Sequence, residues 1–274
     1  MGRWILKLGG LGVFAYIGAC LAIWFGQPRL IFHPQMGLAL TPADLDLPYE
    51  DVWIPVDEGQ IHGWWIPANA PNAKTVLYLH GNAGNIETNV WRARYLSQLG
   101  LSVLLIDYRG YGLSSGPFPN ETRVYEDTNA AWDYLTQNRK ITPQNIVIFG
   151  HSIGGAIAIN LAHQYPQAGG LIVESTFTSM ADMVDLTIYG QVFPKWLLHQ
   201  TFPSQQKLPE LKMPVLLIHG LDDNTIPATM SEQLYAEVPD PKQLWLVPGA
   251  NHNNVAEVAG PEYREVLQQW LSSR

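Results

Sequence analysis

A serine framed by glycines is the first place in this 274-residue sequence where residue type and spacing indicate chemistry. Gly150-His151-Ser152-Ile153-Gly154 fits the pattern G-x-S-x-G and lies between a β-branched run and a helix-like stretch. At such a strand-to-helix turn the serine backbone is strained so that the hydroxyl points at a substrate, and glycines on both sides allow close chain approach. A five-residue pattern can arise by chance, but its position here favours a nucleophile.

A serine nucleophile needs a general base, and His252 is the best placed of the eight histidines. It lies in a loop between the last predicted strand and the last predicted helix. Asp223 follows another predicted strand, where a carboxylate can orient the imidazole and stabilise its positive charge. Four other histidines are less suited to this role. His151 is adjacent to the serine and His163 lies far along the next helix, while His80 and His219 each precede a glycine at a strand end, which is more typical of a structural histidine.

Two other carboxylates compete with Asp223 for the role of the acid. Asp222 is its neighbour in the same turn, so the two side chains should diverge and only one can reach His252. Glu174 ends the strand after the nucleophile strand, but its side chain would have to cross the serine turn to reach the histidine. The sequence therefore favours Asp223.

The elements that position these residues alternate from residue 49 onward. Alternation of strands and amphipathic helices predicts an α/β fold with a mostly parallel sheet and helices on both faces. An antiparallel hairpin, 50–56 and 60–67, is predicted to enter this sheet. The predicted buried strands are 75–80, 102–107, 145–150, 169–174, 214–219 and 243–247. The predicted helices are 87–99, 121–137, 153–163, 229–238 and 261–272.

Residues 175–213 do not fit this alternation, because they are too long for a simple connection and rich in aromatic and apolar side chains. They predict a small helical cap. Most of its apolar side chains should attach the cap to the core, which leaves a few to line a pocket.

The N-terminal segment predicts a membrane anchor over residues 1–28, followed by one α/β domain over 29–274. Leu8 to Phe25 is 18 residues without a charge, which as a helix spans about 27 Å, close to the hydrocarbon core of a bilayer. A cleaved signal peptide is the alternative, and Cys20 could belong to a lipoprotein processing site. The apolar run is longer than a usual signal core and continues after Cys20, which favours the anchor.

Charges around this segment predict its orientation. Arg3 and Lys7 precede it, and Arg29 is the only positive side chain between it and Lys74. The positive-inside rule then places the N-terminus in the cytoplasm and the catalytic domain on the non-cytoplasmic side of a single-pass protein.

Composition excludes several other classes. A net charge of −8 and a pI near 5.4 argue against a nucleic-acid partner, which requires clustered Lys and Arg. Cys20 is the single cysteine, so the chain has no internal disulfide and no cysteine-based zinc site. The spacing H-E-x-x-H is lacking, and the glycines at 81 and 84 lack the G-K-[ST] ending of a phosphate loop. We expect neither metal nor cofactor, and the oligomeric state stays open.

Taken together, the motifs resemble those of the α/β-hydrolase superfamily, in its small-capped branch of membrane-anchored serine hydrolases. The resemblance covers nearly the whole chain after residue 49. It rests on the serine pentapeptide and on His80 to Asn85, Asp107 to Gly112, Glu174 to Ser179, His219 to Pro227 and Asn251 to Asn253. The chain order of serine, acid and base is that of this fold. The loop reads HGNAGN where many lipases have HGGG, so lipase preferences are not carried over.

The resemblance implies a catalytic triad of Ser152, Asp223 and His252, with the acid three residues after Gly220. It also implies an oxyanion hole made by the backbone N–H groups of Asn82 and Ile153. The expected activity is cleavage of a carboxylic ester or thioester through an acyl-enzyme, with a small or lipid-like acyl substrate.

Two other functions stay open. A serine peptidase of aminopeptidase type would need acidic groups to hold the substrate amine, and the cap offers Asp182, Asp185 and Glu210. A non-catalytic, membrane-tethered binding protein is the other alternative, against which the intact set of three residues argues.

Overall fold

The computed structural model describes residues 2–71 and 73–272, with side chains from residue 10 onward. Its strands are β1 (His33–Pro34), β2 (Glu50–Val56), β3 (Gly59–Ile66), β4 (Thr75–Leu79), β5 (Ala83–Gly84), β6 (Ser102–Ile106), β7 (Ile146–His151), β8 (Gly170–Glu174), β9 (Val215–Gly220) and β10 (Lys242–Val247). Its helices are α1 (Gly2–Ile31), α2 (Val90–Gln98), α3 (Glu121–Asp133), α4 (Ile153–Gln164), α5 (Met180–Asp185), α6 (Ile188–Val192), α7 (Ser204–Lys207), α8 (Thr229–Glu237), α9 (Val255–Ala259) and α10 (Pro261–Ser272).

Within the described residues, the main sheet has eight strands in the order β10-β9-β8-β7-β4-β6-β3-β2. The strands from β10 to β6 run parallel, and β3 and β2 are antiparallel to their neighbours. The predicted α/β fold and its entry hairpin are therefore confirmed. The parallel strands are buried on both faces, as their continuous apolar runs require.

Helices cover the two faces of the sheet and form two apolar layers. On one face, α2 and α10 pack Leu96, Leu267 and Trp270 against the sheet. On the other, α3, α4 and α8 contribute side chains such as Ile157 and Leu234. Since β7 lies between β4 and β8 near the centre, the residues that follow it emerge between the neighbouring loops at the carboxyl edge of the sheet.

Two predicted helices differ from the observed ones in local detail. The predicted helix 87–99 begins as a 3₁₀ turn, Ile86–Asn89, where the Asn85 side chain accepts a hydrogen bond from the Glu87 N–H. The predicted helix 121–137 is α-helical only to Asp133 and continues as a π-helical turn, Tyr134–Asn138. Apolar spacing predicted that the helices exist, but it does not encode these changes of hydrogen-bond pattern.

The predicted cap is a set of short helices. It contains α5, α6 and α7 together with 3₁₀ turns at Lys195–Leu197 and Leu208–Glu210. Several apolar side chains on α6 and the following turn remain exposed, including Ile188 and Trp196.

The N-terminal helix α1 is long and mostly exposed. Among the described residues, it alone is long and apolar enough to cross a membrane, over Gly10–Ile31, which corresponds to about 33 Å. The helix continues through Pro28 to Ile31, so the predicted boundary after residue 28 falls inside it. The side chains of Arg3 and Lys7, on which the predicted orientation depends, lie outside the described part of the chain.

The C-terminal half of α1 packs on the cap. Buried Gln27 donates from Nε2 to the Leu197 carbonyl at 2.6 Å and accepts from the backbone N–H groups of His199 and Gln200 at 3.0 and 3.2 Å. Tyr16 stacks on Phe193 with ring centroids 5.9 Å apart. The helix predicted as a separate anchor is thus joined to the cap by specific polar contacts.

The chain that leaves α1 also reaches the sheet edge. Strand β1 pairs in parallel with β5, and His33 is aligned with Ala83. Asn82, the residue before β5, donates from its side-chain Nδ2 to the Ile31 carbonyl at 2.9 Å. The end of α1 therefore contacts the loop that follows β4.

Candidate active site

Ser152 lies at the junction of β7 and α4, in the conformation that its sequence motif requires. Its φ of 57° and ψ of −126° are in the region that favours glycine. A Cβ atom on Gly150 would overlap the Gly154 carbonyl oxygen, and one on Gly154 would overlap the Leu79 carbonyl oxygen. The tight turn therefore requires glycine at both flanking positions and holds the serine hydroxyl at the edge of the sheet.

The three predicted triad side chains lie in one hydrogen-bonded row. His252 Nε2 is 3.0 Å from Ser152 Oγ, and His252 Nδ1 is 2.7 Å from Asp223 Oδ2. The residues come from three separate loops, 71 and 29 positions apart in sequence along the chain, and the sheet brings those loops to the same edge. In this arrangement the imidazole can take a proton from the hydroxyl while the carboxylate fixes its tautomer.

Asp223 is buried and held as an anion. Its Oδ1 accepts hydrogen bonds from the backbone N–H groups of Thr225 and Ile226 at 2.8 and 2.9 Å. Burial by itself would raise the pKa of this carboxyl, but hydrogen bonds from His219, His252 and the Ile226 backbone outweigh burial and hold the pKa well below its ordinary value.

His219 is a second partner of the acid that the sequence did not indicate. Its Nε2 lies 3.2 Å from Asp223 Oδ2 and 2.9 Å from the Ile226 carbonyl oxygen, so Nε2 carries the proton. Its Nδ1 then accepts from the Ser231 hydroxyl at 2.6 Å. Its place in the sequence, before a glycine at a strand end, predicts only a structural role. The signal that could have shown its role is its position at a strand end, four residues before the acid.

His151 lies beside the serine but cannot replace His252 as base. Its Nε2 donates to the His252 carbonyl oxygen at 2.9 Å. Burial and the charge of Arg92 lower the pKa of His151 to about 3, so the ring is neutral and its Nε2 proton is engaged. It supports the base loop instead.

Glu174, the rival acid, is bound elsewhere. Its carboxylate forms a buried ion pair with Arg92 at 2.7 Å and accepts from the Tyr263 hydroxyl at 2.6 Å. Burial opposes ionisation of this group, but the charge of Arg92 prevails and the pKa of Glu174 is lowered. This pair ties α2 to β8, while Asp223 is the carboxylate that contacts His252.

The predicted oxyanion residues, Asn82 and Ile153, lie in the two segments next to the serine. Gly81 lies so close that a Cβ atom built on it would be 3.6 Å from Ser152 Cβ. Ile153 is the first residue of α4, so its N–H has no acceptor within the helix. The helix dipole favours negative charge at this end. Asn82 and Ile153 both line the cavity into which Ser152 opens.

Asn82 is held in place by partners from distant segments. Its carbonyl oxygen accepts from the Tyr111 hydroxyl at 2.6 Å and from the His33 N–H at 2.9 Å. Two residues before Asn82, the His80 carbonyl accepts a hydrogen bond from the Tyr108 hydroxyl at 3.0 Å. The sequence singled out residues 107–112 only through resemblance, and the structure gives these tyrosines a role in holding the loop.

A cavity of about 620 Å³ lies above Ser152 and His252. Cap residues Phe177, Met180 and Met183 form one wall. Among the described residues that line the cavity, none is acidic. The described part of the chain likewise holds no group of three or more His, Cys, Asp or Glu side chains placed to bind a metal ion.

Comparison with known proteins identifies relatives of this chain. A family model described as "Serine aminopeptidase, S33" matches residues 70–206. An uncharacterized protein of Mycobacterium tuberculosis is 35% identical over 262 residues, which cover 93% of this chain and 90% of that protein. The alpha/beta hydrolase domain-containing protein WAV2 of Arabidopsis thaliana is 34% identical over 253 residues, covering 83% of this chain and 80% of WAV2.

The backbone is also similar to a solved structure, the esterase Pf2001 of Pyrococcus furiosus. The TM-score is 0.74 with 22% sequence identity, and the match covers 89% of this chain and 99% of the esterase. At this identity the similarity bears on the fold, and the chemistry has to be argued from the side chains described above.

Proposed function

Because the chain belongs to the α/β-hydrolase superfamily, we propose that it is a serine hydrolase that cleaves carboxylic esters or thioesters, with Ser152, His252 and Asp223 as its triad. The observation that carries this proposal is the continuous row from Ser152 Oγ through the His252 ring to Asp223, at 3.0 and 2.7 Å, beside a cavity. Such a row can activate a hydroxyl as a nucleophile.

In the first half of the reaction, Ser152 Oγ attacks the substrate carbonyl carbon and its proton passes to His252 Nε2. The carbonyl oxygen becomes an oxyanion that the N–H groups of Asn82 and Ile153 stabilise. His252 then gives the proton to the leaving alcohol or thiol as the C–O or C–S bond breaks. The acyl group remains on the serine.

In the second half, water replaces the leaving group. His252 takes a proton from the water as its oxygen attacks the acyl carbon, and it returns the proton to Ser152 Oγ when the acyl group leaves as a carboxylic acid. Asp223 stays ionised throughout, in keeping with the hydrogen bonds that lower its pKa. It stabilises the charged imidazole in both steps.

The character of the cavity supports an acyl substrate. Phe177, Met180, Met183 and Ile226 present apolar surface near the serine, together with Leu30 and Ile31 from α1. A hydrophobic acyl group would gain contact there, and the two residues from α1 bring this helix beside the site.

The family model's description favours a second candidate, a serine aminopeptidase. A substrate amine would need an acidic partner near the serine. Asp182 accepts from the Thr178 and Ser179 hydroxyls, Asp185 pairs with Lys195, and Glu210 pairs with His163. None of these three described carboxylates lines the cavity, so the ester or thioester remains the better proposal.

Labelling by a fluorophosphonate probe tests the proposal and separates an enzyme from a binding protein. The wild-type protein should be labelled, and Ser152→Ala should lose both labelling and ester hydrolysis, by on the order of 10⁶-fold in turnover. Ser97→Ala, on a helix away from the cavity, is the matched control and should behave as wild type. Labelling of Ser152→Ala at the wild-type rate would show that another residue is the nucleophile.

A further inference from the structure

A second cavity adjoins the active-site cavity, between α1 and the cap. This α1–cap groove has a volume of about 390 Å³, within the range of small-molecule sites. Leu30, Ile31, Met180 and Met183 line both cavities, so the groove continues from the space above Ser152. Its further walls are Ile23 and Gln27 on α1 and Ala181, Val184, Phe193 and Leu198 on the cap, among others.

The groove presents mostly apolar surface, because its polar side chains other than Tyr189 are hydrogen-bonded or paired within the protein. Gln27 uses both ends of its amide on the cap backbone. Thr187 donates from its hydroxyl to the Val184 carbonyl at 2.7 Å, and Lys195 pairs with Asp185 at 2.6 Å. An occupant would therefore find little to hydrogen-bond, which suits a hydrocarbon chain and disfavours a peptide or sugar.

The position of the groove relates it to a bilayer. One of its walls is α1, the helix that is long and apolar enough to span a membrane. The cap surface next to it carries exposed apolar and aromatic side chains, with Trp196 75% and Ile188 63% exposed. A patch of this kind beside a membrane helix is typical of an interface with lipid, where tryptophan and tyrosine are enriched. The exposed side chains on this cap surface are Leu186, Ile188, Tyr189, Val192 and Trp196.

We propose that the α1–cap groove is the acyl-chain site of this hydrolase and that it receives the chain of a lipid ester directly from the membrane. The proposal rests on the serine hydrolase function argued above and specifies its substrate class. The acyl chain would lie along Ile23 and Leu30, past Met180 and Met183, with its ester carbonyl at Ser152 Oγ. The membrane helix then has a binding role in addition to anchoring.

Blocking the groove from each wall tests this proposal. Ile23→Trp fills it from α1 and Ala181→Phe fills it from the cap. The readout is the ratio of kcat/KM for a C16 ester to that for a C4 ester with the same leaving group, measured on the full chain in detergent micelles. We expect the ratio to fall at least tenfold in both variants, since removing about two methylene groups from apolar contact suffices for that loss.

Matched controls carry the same new side chains outside the groove. Ala22→Trp changes an exposed residue next to Ile23 in the sequence, and Gln191→Phe changes an exposed residue on α6 of the cap. Both variants should keep the wild-type ratio. An unchanged ratio in both groove variants, with fluorophosphonate labelling of Ser152 intact, would overturn the groove as the acyl site and leave the hydrolase function standing.

Photocrosslinking gives a readout that does not depend on catalysis. A diazirine-bearing C16 fatty acid, irradiated with the full-length Ser152→Ala protein, should label peptides that contain residues 23–31 and 180–198. Ile23→Trp in the same background should reduce that labelling. Crosslinks confined to other regions, or equal labelling of the blocked variant, would contradict the proposal even if the protein proved to have another nucleophile.

Discussion

The carboxyl edge of the sheet and the α1–cap unit are held together in different ways. At the sheet edge, the Asp223 carboxylate alone contacts two backbone N–H groups and two imidazoles, all in a buried setting. In the α1–cap unit the helices are short or exposed, and one buried glutamine, Gln27, supplies much of the polar contact. In the proposed function, the sheet edge carries the reaction and the α1–cap unit selects the substrate, and the two regions differ in rigidity accordingly.

The largest effect that would sharpen this division is expected at Asp223. Asp223→Asn keeps the shape of the side chain but cannot hold His252 in the required tautomer or stabilise its charge. We expect a loss on the order of 10⁴-fold in turnover with every ester, by analogy with the same change in a serine protease. Steady-state kinetics on C4 and C16 esters, with circular dichroism to check folding, would measure it.

Glu174→Gln is the matched control for that experiment. It changes a buried carboxylate on a neighbouring strand, and it weakens the pair with Arg92 without touching His252. Its main effect should be a loss of stability, of about 3 kcal/mol or more, because Arg92 is left buried and unpaired. If Glu174→Gln were the more damaging to turnover in folded protein while Asp223→Asn stayed active, the acid would be reassigned.

The second largest effect is expected where the N-terminal segment contacts the sheet edge. Removing residues 1–28 should release the protein from carbonate-washed membranes and leave an enzyme active on C4 esters. Removing residues 1–34 should lower the activity on C4 esters about 100-fold relative to the 1–28 deletion, which is in the range for loss of an oxyanion donor. The longer deletion removes the Ile31 carbonyl and the His33 N–H, both of which hold Asn82.

Turnover per labelled active site compares the two truncated proteins without interference from partial unfolding. Equal turnover would show that β1 is dispensable for the oxyanion loop. A 1–28 deletion that stayed in the washed membrane would instead contradict the anchor.

The smallest effect is expected within the cap. Gln27→Ala removes the bonds between α1 and residues 197, 199 and 200. Amide hydrogen exchange at residues 197–200 should become about tenfold faster, because two backbone N–H groups lose their acceptor. Exchange in the loops that carry Ser152 and Asp223 should not change. Gln191→Ala, on the exposed side of the cap, serves as control, and faster exchange at the triad loops would mean that the two regions are not separable.

The fold and the positions of the candidate site residues along the chain could be predicted from the sequence, because both are encoded by local patterns. Continuous apolar runs define the buried strands, and glycines at 150 and 154 define the turn at Ser152. Once the strands are parallel, their carboxyl ends meet, so Asp223 and His252 fall within reach of the serine. The catalytic roles of these residues remain predictions that the proposed variants test.

Contacts between distant segments could not be predicted in the same way. Strand β1 has two residues, too few to show any periodicity, yet its pairing with β5 joins the N-terminal segment to Asn82. Gln27 lies in an apolar helix where a single amide has no pattern around it, and its partners are about 170 residues away. Tyr111 contacts Asn82 through a hydroxyl whose direction depends on tertiary packing.

The backbone conformation of Ser152 has a cost for the stability of the folded chain. A non-glycine residue at φ 57° and ψ −126° stores about 1–3 kcal/mol of strain, and glycine at this position would release it. Selection for stability alone would therefore favour glycine at residue 152. A serine kept at this position is what the proposed nucleophilic role requires, since stability is given up there in exchange for reactivity.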